Sequence, residues 1–161
     1  YSYFCNINKT EILEYPVDIE TYLNSISRII KKNNGIFLMF DYGYSDILGK
    51  NTIKAIKKHK TVDLLKEYTD CDITFDINFN ILKNIFKKNN IQNIGIVSQN
   101  FFLQKLWIME RADQIIKKQD AITSKNLILS INKLINPKEM GNAFHALAFS
   151  NKNCKFNLGF I

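Results

Sequence analysis

The residues best suited to chemistry in this chain are carboxylates that follow short apolar runs. Asp41-Tyr42-Gly43 comes directly after Ile36-Phe37-Leu38-Met39-Phe40. A carboxylate there can accept hydrogen bonds from a donor-rich substrate, and the glycine two residues on lets the backbone turn tightly beside it. It could equally cap backbone donors at a strand end, and residue types alone leave the two open. A second polar cluster is CDITFDINF, residues 71–79, where Asp72, Thr74 and Asp76 alternate with apolar residues. Thr74 or Asn78 can also serve there as the cap of a following helix. Ser98-Gln99 closes a further apolar run. His59, in IKKHKTVD, is of the type that moves protons near neutral pH, although a lone histidine also suits a surface or packing place.

Other chemistries find no pattern. His59 and His145 are isolated, and Cys5, Cys71 and Cys154 lie far apart without a CxxC spacing, so no metal site is expected. The chain has no GxSxG, P-loop or HExxH motif and no glycine-rich strand–turn–helix, hence no recognisable cradle for a dinucleotide or phosphate. An odd cysteine count, with an opening YSYFCNINKTE that lacks the plan of a signal peptide, points to reduced thiols inside a cell.

The elements that must position these residues follow from hydrophobic period. Residues 18–33 place Ile19, Tyr22, Leu23, Ile26, Ile29 and Ile30 on one helical face, with Asp18 as N-cap and Gly35 as the stop. Residues 36–40 read as a strand covered on both faces, and helix–glycine–strand in that order predicts an α/β layer with a parallel sheet. Its carboxyl end is where open α/β sheets bind ligands, which puts Asp41 at a site. Gly43 and Gly49 bracket a loop. Residues 51–68 are ambiguous in period. Residues 78–88 form an amphipathic helix on Phe79, Leu82, Ile85 and Phe86, stopped by Asn89-Asn90, and residues 91–99 form a second strand. Helices are expected over 101–134, then a strand over 142–150 and a loose tail. The opening fifteen residues suit one or two short strands, ended by Pro16.

Length and composition bound the rest. At 161 residues with 46% hydrophobic content this is one domain's worth of chain, and no apolar run spans a bilayer. The formal net charge of +7 invites an anionic partner, but Arg28 and Arg111 are the only arginines among 22 basic residues. Nucleic-acid forks favour arginine, so general lysine bias explains the charge better than nucleic-acid binding does.

Taken in order, the segments resemble the carboxyl-terminal half of the MidA family of class I S-adenosylmethionine-dependent methyltransferases. IIKKNNGIFLMFDYG is similar to the family's helix, glycine, strand and DYG; NTIKAIKKH to its TLQA…H segment; and DITFDINF to its DLTAHVDF. SQNFFLQKLWIMER and PKEMGNAFHALA are similar to two later family segments, and Gly159-Phe160 to its closing GF. The chain departs from the pattern at Asp76 (family histidine), Asn78 (aspartate), Trp107 (glycine) and His145 (lysine).

The resemblance implies the later half of a Rossmann-like sheet, with a helical insertion before a last, antiparallel strand, all within 1–161 as one part of a methyltransferase domain. It implies methyl transfer from S-adenosylmethionine to an arginine of a protein substrate, among them a respiratory complex I subunit. Asp41 and Asp72 would be the catalytic carboxylates, and Tyr42, Gly43, Thr74 and Gln99 the substrate contacts. The family's cofactor motifs lie upstream of the matched region, so an upstream half on a separate chain is a further expected partner. The setting would be the bacterial cytoplasm or the mitochondrial matrix. The competing reading is a remnant or split subunit that binds a partner and catalyses nothing alone.

Overall fold

The computed structural model describes residue 12 and residues 14–45, 51–67 and 69–161. The expected opening strands (residues 1–11 and 13), Gly49 and Cys5 lie outside the described residues. In chain order the elements are α1 (Ile19–Asn33), β1 (Ile36–Tyr44), β2 (Lys54–Lys57), β3 (Lys60–Val62), α2 (Leu64–Glu67), β4 (Asp72–Thr74), β5 (Ile77–Asn78), α3 (Phe79–Lys88) and β6 (Gln92–Ser98). Then come α4 (Gln99–Lys105), α5 (Ile108–Ile116), α6 (Ala121–Ile135), α7 (Met140–Ala143) and β7 (Phe144–Ser150). The α/β fold with helices inserted before the last strand is therefore present.

Four strands form the main sheet in the order β5-β1-β7-β6, and β3-β2-β4 form a small second sheet. β7 runs antiparallel to both β1 and β6, while β5 pairs in parallel with β1 only at Gly43 and Tyr44. Among the described residues only that short pairing is parallel, because the last strand inserts antiparallel between β1 and β6.

Alternation along β7 builds two cores. Leu147 and Phe149 join Leu23 and Ile30 of α1 and Phe79, Leu82, Ile85 and Phe86 of α3 on one face. Phe86 is fully buried and stacks on Phe149 with ring centroids 4.3 Å apart. Ala146 and Ala148 face the other way, under Phe102 of α4 and Phe160 of the tail. The tail is thus not loose: Phe160 is 7% exposed and packs where Gly95 leaves no Cβ to meet it.

Several boundaries differ from the sequence reading. β1 continues through Asp41-Tyr42-Gly43 to Tyr44, so DYG is strand and not the loop after one. β1 is also not covered on both faces: Ile36, Leu38 and Phe40 are 40–43% exposed, while Phe37 and Met39 pack on the α1 and α3 core. Asp18 precedes α1 without a side-chain cap bond, and the left-handed stop is Asn34 (φ 50°) in place of Gly35. The ambiguous segment is a hairpin, β2 to β3, turning through Lys58 and His59 at positive φ. That places His59 exposed at a tip.

Trp107 also has positive φ, 55°, and leads into α5 with 62% of its surface exposed. A non-glycine residue there costs roughly 1–2 kcal/mol, which explains the glycine of the resembling family. Trp107→Gly removes that strain but adds about 0.5–1 kcal/mol of unfolded-state entropy. We expect a net gain of up to about 1 kcal/mol, read by urea unfolding; a loss of stability would show that the exposed indole contributes more than the strain costs.

Candidate functional site

The candidate site is the carboxyl end of β1. Asp41 pairs in register with His145, and His145 with Ser98 across β6, so these three polar residues form one row over three strands. Asp41 shares the sheet face of Phe37 and Met39, which is the face α3 covers. Burial raises the Asp41 carboxyl above its ordinary value, opposed by the Tyr42 N–H, which donates to Oδ1 at 2.9 Å. Burial lowers His145 below its ordinary value. Its ring lies 5.2 Å from the Phe79 ring, and its buried Nδ1 has no hydrogen-bond partner.

Tyr42 points to the opposite face, edge-on to Phe144 at 5.4 Å. Gly43 pairs with Ile77, and a Cβ there would meet the Ile77 carbonyl and come within 2.8 Å of the Phe79 ring. This position has no room for a side chain, so β5 can lie against the end of β1.

Beyond Gly43 the mouth is acidic. The Glu14 carboxylate accepts from the Thr52 N–H at 2.7 Å, from the Thr52 hydroxyl and from the Ile53 N–H at 3.2 Å. The Thr52 hydroxyl oxygen accepts in turn from the Asp76 N–H at 2.9 Å. Burial, then the charges of Glu14 and Asp76, push the Tyr44 phenol up, while a hydrogen bond with the Asn78 side chain opposes them. Asn78 also caps α3, accepting from the Asn80 N–H at 3.0 Å. Sequence reasoning missed Glu14, Tyr44 and Thr52. The only local signal was a glutamate placed just before Tyr15-Pro16, and its partners lie 38 residues on.

The expected site residues divide accordingly. Asp41, Tyr42 and Gly43 lie near the carboxyl end of β1, and of the three only Gly43 pairs with the segment that leads from Asp76. Thr74 ends β4 opposite Lys54, two residues before Asp76 in sequence. Asp72 is elsewhere: it is exposed on β4 opposite Ile56 and borders a surface concavity with Lys57, Lys58 and Asp70. Gln99 is 6% exposed, and its Nε2 donates to the Leu134 carbonyl at 2.9 Å, tying α4 to α6.

Both strand-to-helix junctions at this end of the sheet carry a side-chain cap. Asn78 caps α3, and Ser98 caps α4 by accepting from the Phe101 N–H at 3.2 Å. These residues do not by themselves fit a nucleoside cofactor. Among the described residues no cluster of His, Cys, Asp and Glu could hold a metal ion, and no helix is long and apolar enough to cross a membrane.

Comparison with known structures shows the same fold. A protein from Burkholderia thailandensis crystallised with S-adenosyl-homocysteine superposes with a TM-score of 0.81 at 18% identity, over 99% of this chain and 43% of its own. A second crystal structure from that organism gives 0.76 at 20% identity, over 88% of this chain and 39% of its own. The fold is thus the α/β sheet of these two proteins, with helices inserted before the last strand. Residues 2–97, more than half of the chain, match the family model described as "Putative S-adenosyl-L-methionine-dependent methyltransferase", and the chain belongs to that family. Among curated relatives, the mitochondrial protein arginine methyltransferase NDUFAF7 homolog of Drosophila melanogaster is 29% identical over 84% of this chain and 31% of its own length. The Caenorhabditis elegans homolog is 31% identical over 86% and 32%. Rat NDUFAF7 is 27% identical over 87% and 32%. The chain therefore spans about a third of the length of these relatives, and the MidA resemblance is borne out.

The two shifted groups set opposite pH slopes. A lowered His145 must protonate on unfolding below about 6.5, so its contribution is lost as pH falls from there. A raised Asp41 binds its proton more tightly when folded, so its ionisation erodes stability as pH rises above 3.8. In urea titrations, His145→Gln should lose less stability than wild type as pH falls through that range. Asp41→Asn should lose less as pH rises from 3.8 to neutrality. Curves parallel to wild type would contradict the burial of these groups.

Proposed function

We propose that the chain is the carboxyl-terminal part of an S-adenosylmethionine-dependent methyltransferase that modifies an arginine of a protein substrate. The observation that supports it best is the family match over residues 2–97, which includes β1 with Asp41 three residues before its carboxyl end, the end at which such sheets meet their ligands. S-adenosylmethionine supplies an electrophilic sulfonium methyl, and the part of the domain that holds it is not among these residues.

What this chain contributes is the acceptor side. Asp41 carries one protein hydrogen bond and is under-solvated, so a planar guanidinium with its fork of donors is a favourable partner. Holding that group still beside a methyl donor is where the rate gain arises. Gly43 keeps the backbone low beside it, Tyr42 supplies an aromatic wall on the other face, and Thr74 stands two residues before Asp76 in sequence. Glu14 and Asp76 give that mouth negative charge within a chain of net charge +7, which favours a cationic side chain over other nucleophiles. Asp72 and Gln99 take no part in this reading.

The names of the relatives support a protein arginine as substrate, a respiratory complex I subunit among the candidates the resemblance implies. The same reading places the protein in the mitochondrial matrix or, in a bacterium, the cytoplasm. The side-chain caps at both helix starts favour a second reading, in which the chain is a subunit that acts only by binding its partner.

The test compares the 161-residue chain with the domain completed by its cofactor-binding part, on one polypeptide or mixed in trans. Calorimetric titration with S-adenosyl-homocysteine should show binding only by the completed domain. That domain should transfer labelled methyl to a protein arginine, and Asp41→Asn should lower turnover by about 10²-fold. Unchanged turnover in Asp41→Asn would remove Asp41 from the mechanism; a completed domain that binds the cofactor product but transfers nothing would favour the binding-subunit reading.

A further inference from the structure

α6 has an uncovered face of mixed chemistry. Its helical period sets Ile122, Lys125, Leu129 and Lys133 within about 80° of arc, with Ile131, 7% exposed, on the opposite side. Ile122 is 76% exposed and Leu129 57%, and both lysines are exposed. The dipole of a solvated helix favours carboxylates in its first turn, yet that turn of α6 holds none beyond the cap residue Asp120. Asp120 is already engaged: it accepts from the Ile122 N–H at 2.9 Å, the Thr123 N–H at 3.0 Å and the Thr123 hydroxyl at 2.7 Å. Between Asp120 and Glu139 the chain has three lysines and no carboxylate. The stripe is apolar and cationic by turns.

One end of the stripe meets a cationic hollow. Where α5 ends, Arg111, Gln114, Ile115, Lys117, Lys118 and Gln119 line a surface concavity of about 450 Å³. Gln119 directly precedes the cap residue of α6, so the hollow adjoins the Ile122 end of the stripe. Its lining contains no carboxylate, although Glu110 and Asp113 are exposed on the same helix. Among the described residues none of Arg111, Lys117, Lys118, Lys125 and Lys133 forms an ion pair. General lysine enrichment accounts for cations on a surface, but not for bare aliphatic side chains set between them. α6 packs on α4, α5 and α7, and α4 packs on β6 and β7, at the end of the main sheet away from β5.

We propose that the α6 stripe and the hollow beside it dock an acidic, amphipathic helical segment of a partner protein. Aliphatic side chains of that segment seat on Ile122 and Leu129, while its carboxylates meet Lys125, Lys133 and the cations around the hollow. Charges interleaved with apolar contacts fix the register of the docked helix as well as its affinity. A flat anionic lipid surface would meet the stripe but not the inside of the hollow, which a peptide side chain can enter. The mouth at Glu14 and Asp76 has the opposite sign, so a segment suited to α6 is not one suited to the mouth.

The test titrates the 161-residue chain against a labelled peptide of leucine, glutamate and alanine whose leucines recur at helical spacing, read by fluorescence polarisation. Binding should be at least about tenfold tighter than that of a scrambled peptide of the same composition, and should weaken as salt rises. Leu129→Asp and Lys125→Glu should each weaken it at least about tenfold, with circular dichroism and the urea midpoint unchanged because both side chains are exposed. Equal binding of the ordered and scrambled peptides, or unchanged affinity in Leu129→Asp, overturns the proposal. So does a dimer in sedimentation, or flotation with phosphatidylglycerol vesicles, that Leu129→Asp abolishes, since a second copy or a lipid surface is then the occupant. The domain completed by its cofactor-binding part should bind the peptide as tightly as the chain alone. Loss of binding on completion means that the rest of the domain covers α6, which overturns the proposal and leaves the methyltransferase reading standing.

Discussion

The register of β7 between β1 and β6 is the constraint on which everything else rests. Seven consecutive pairs, from Ile36 with Ser150 to Tyr42 with Phe144, fix which side chains of three strands share a face. Because strand side chains alternate, a slip of one residue would move Leu147 and Phe149 out of the α1 and α3 core and put Ala146 and Ala148 in their place. The volumes would then be wrong on both sides at once. The large residues fill the broad space under two helices, and the alanines allow α4 and the tail to approach closely on the other face. The same register sets Asp41 against His145, so the packing that stabilises the sheet also builds the polar row at its end.

Much of this was legible in the sequence where a local rule decided the outcome. The apolar period of α3, with Asn78 before it and Asn89-Asn90 after it, specifies the helix almost to the residue. The ordered motifs and the family resemblance specify the sheet type and the insertion. Failures came where tertiary partners decide. The five apolar residues of β1 look alike in sequence, and only the neighbours make Phe37 and Met39 half-buried and Ile36, Leu38 and Phe40 exposed. The hairpin of β2 and β3 turns through Lys58-His59, which carries none of the glycine or asparagine that marks such turns. Gln99 reads as a strand-end polar residue, yet its amide satisfies a carbonyl of α6, a contact between residues 35 apart.

The site was half legible for a related reason. Asp41 follows an apolar run, a pattern that sequence can show. Glu14 becomes part of the mouth only because Thr52 donates to it through both its amide and its hydroxyl, and because the same hydroxyl oxygen receives the Asp76 N–H. Three segments distant in sequence meet at one threonine. Asp72, two residues from Thr74 and similar in type to Asp76, falls outside because β4 is paired into the second sheet before β5 joins the first. A motif read as one unit, DITFDINF, is thus split between two sheets, and its residues face different surroundings.

That division also bears on how the acidic mouth is kept open. Carboxylates at a mouth are useful to a cationic substrate only if no lysine of the same chain satisfies them first, and this chain is rich in lysine. Among the described residues the ion pairs lie elsewhere: Lys57 pairs with Glu67 and Asp70 at the second sheet, and Lys88 in the last turn of α3 with Glu20 in the first turn of α1. Glu14 is held by neutral donors, a backbone N–H pair and a hydroxyl, and Asp41 by a single backbone N–H. Neutral donors orient a carboxylate while leaving its charge in place, whereas a lysine would cancel it. Among the described residues, then, the ion-paired lysines lie at the second sheet, beside α2 and between α3 and α1, and the carboxylates near the end of β1 are held by neutral donors.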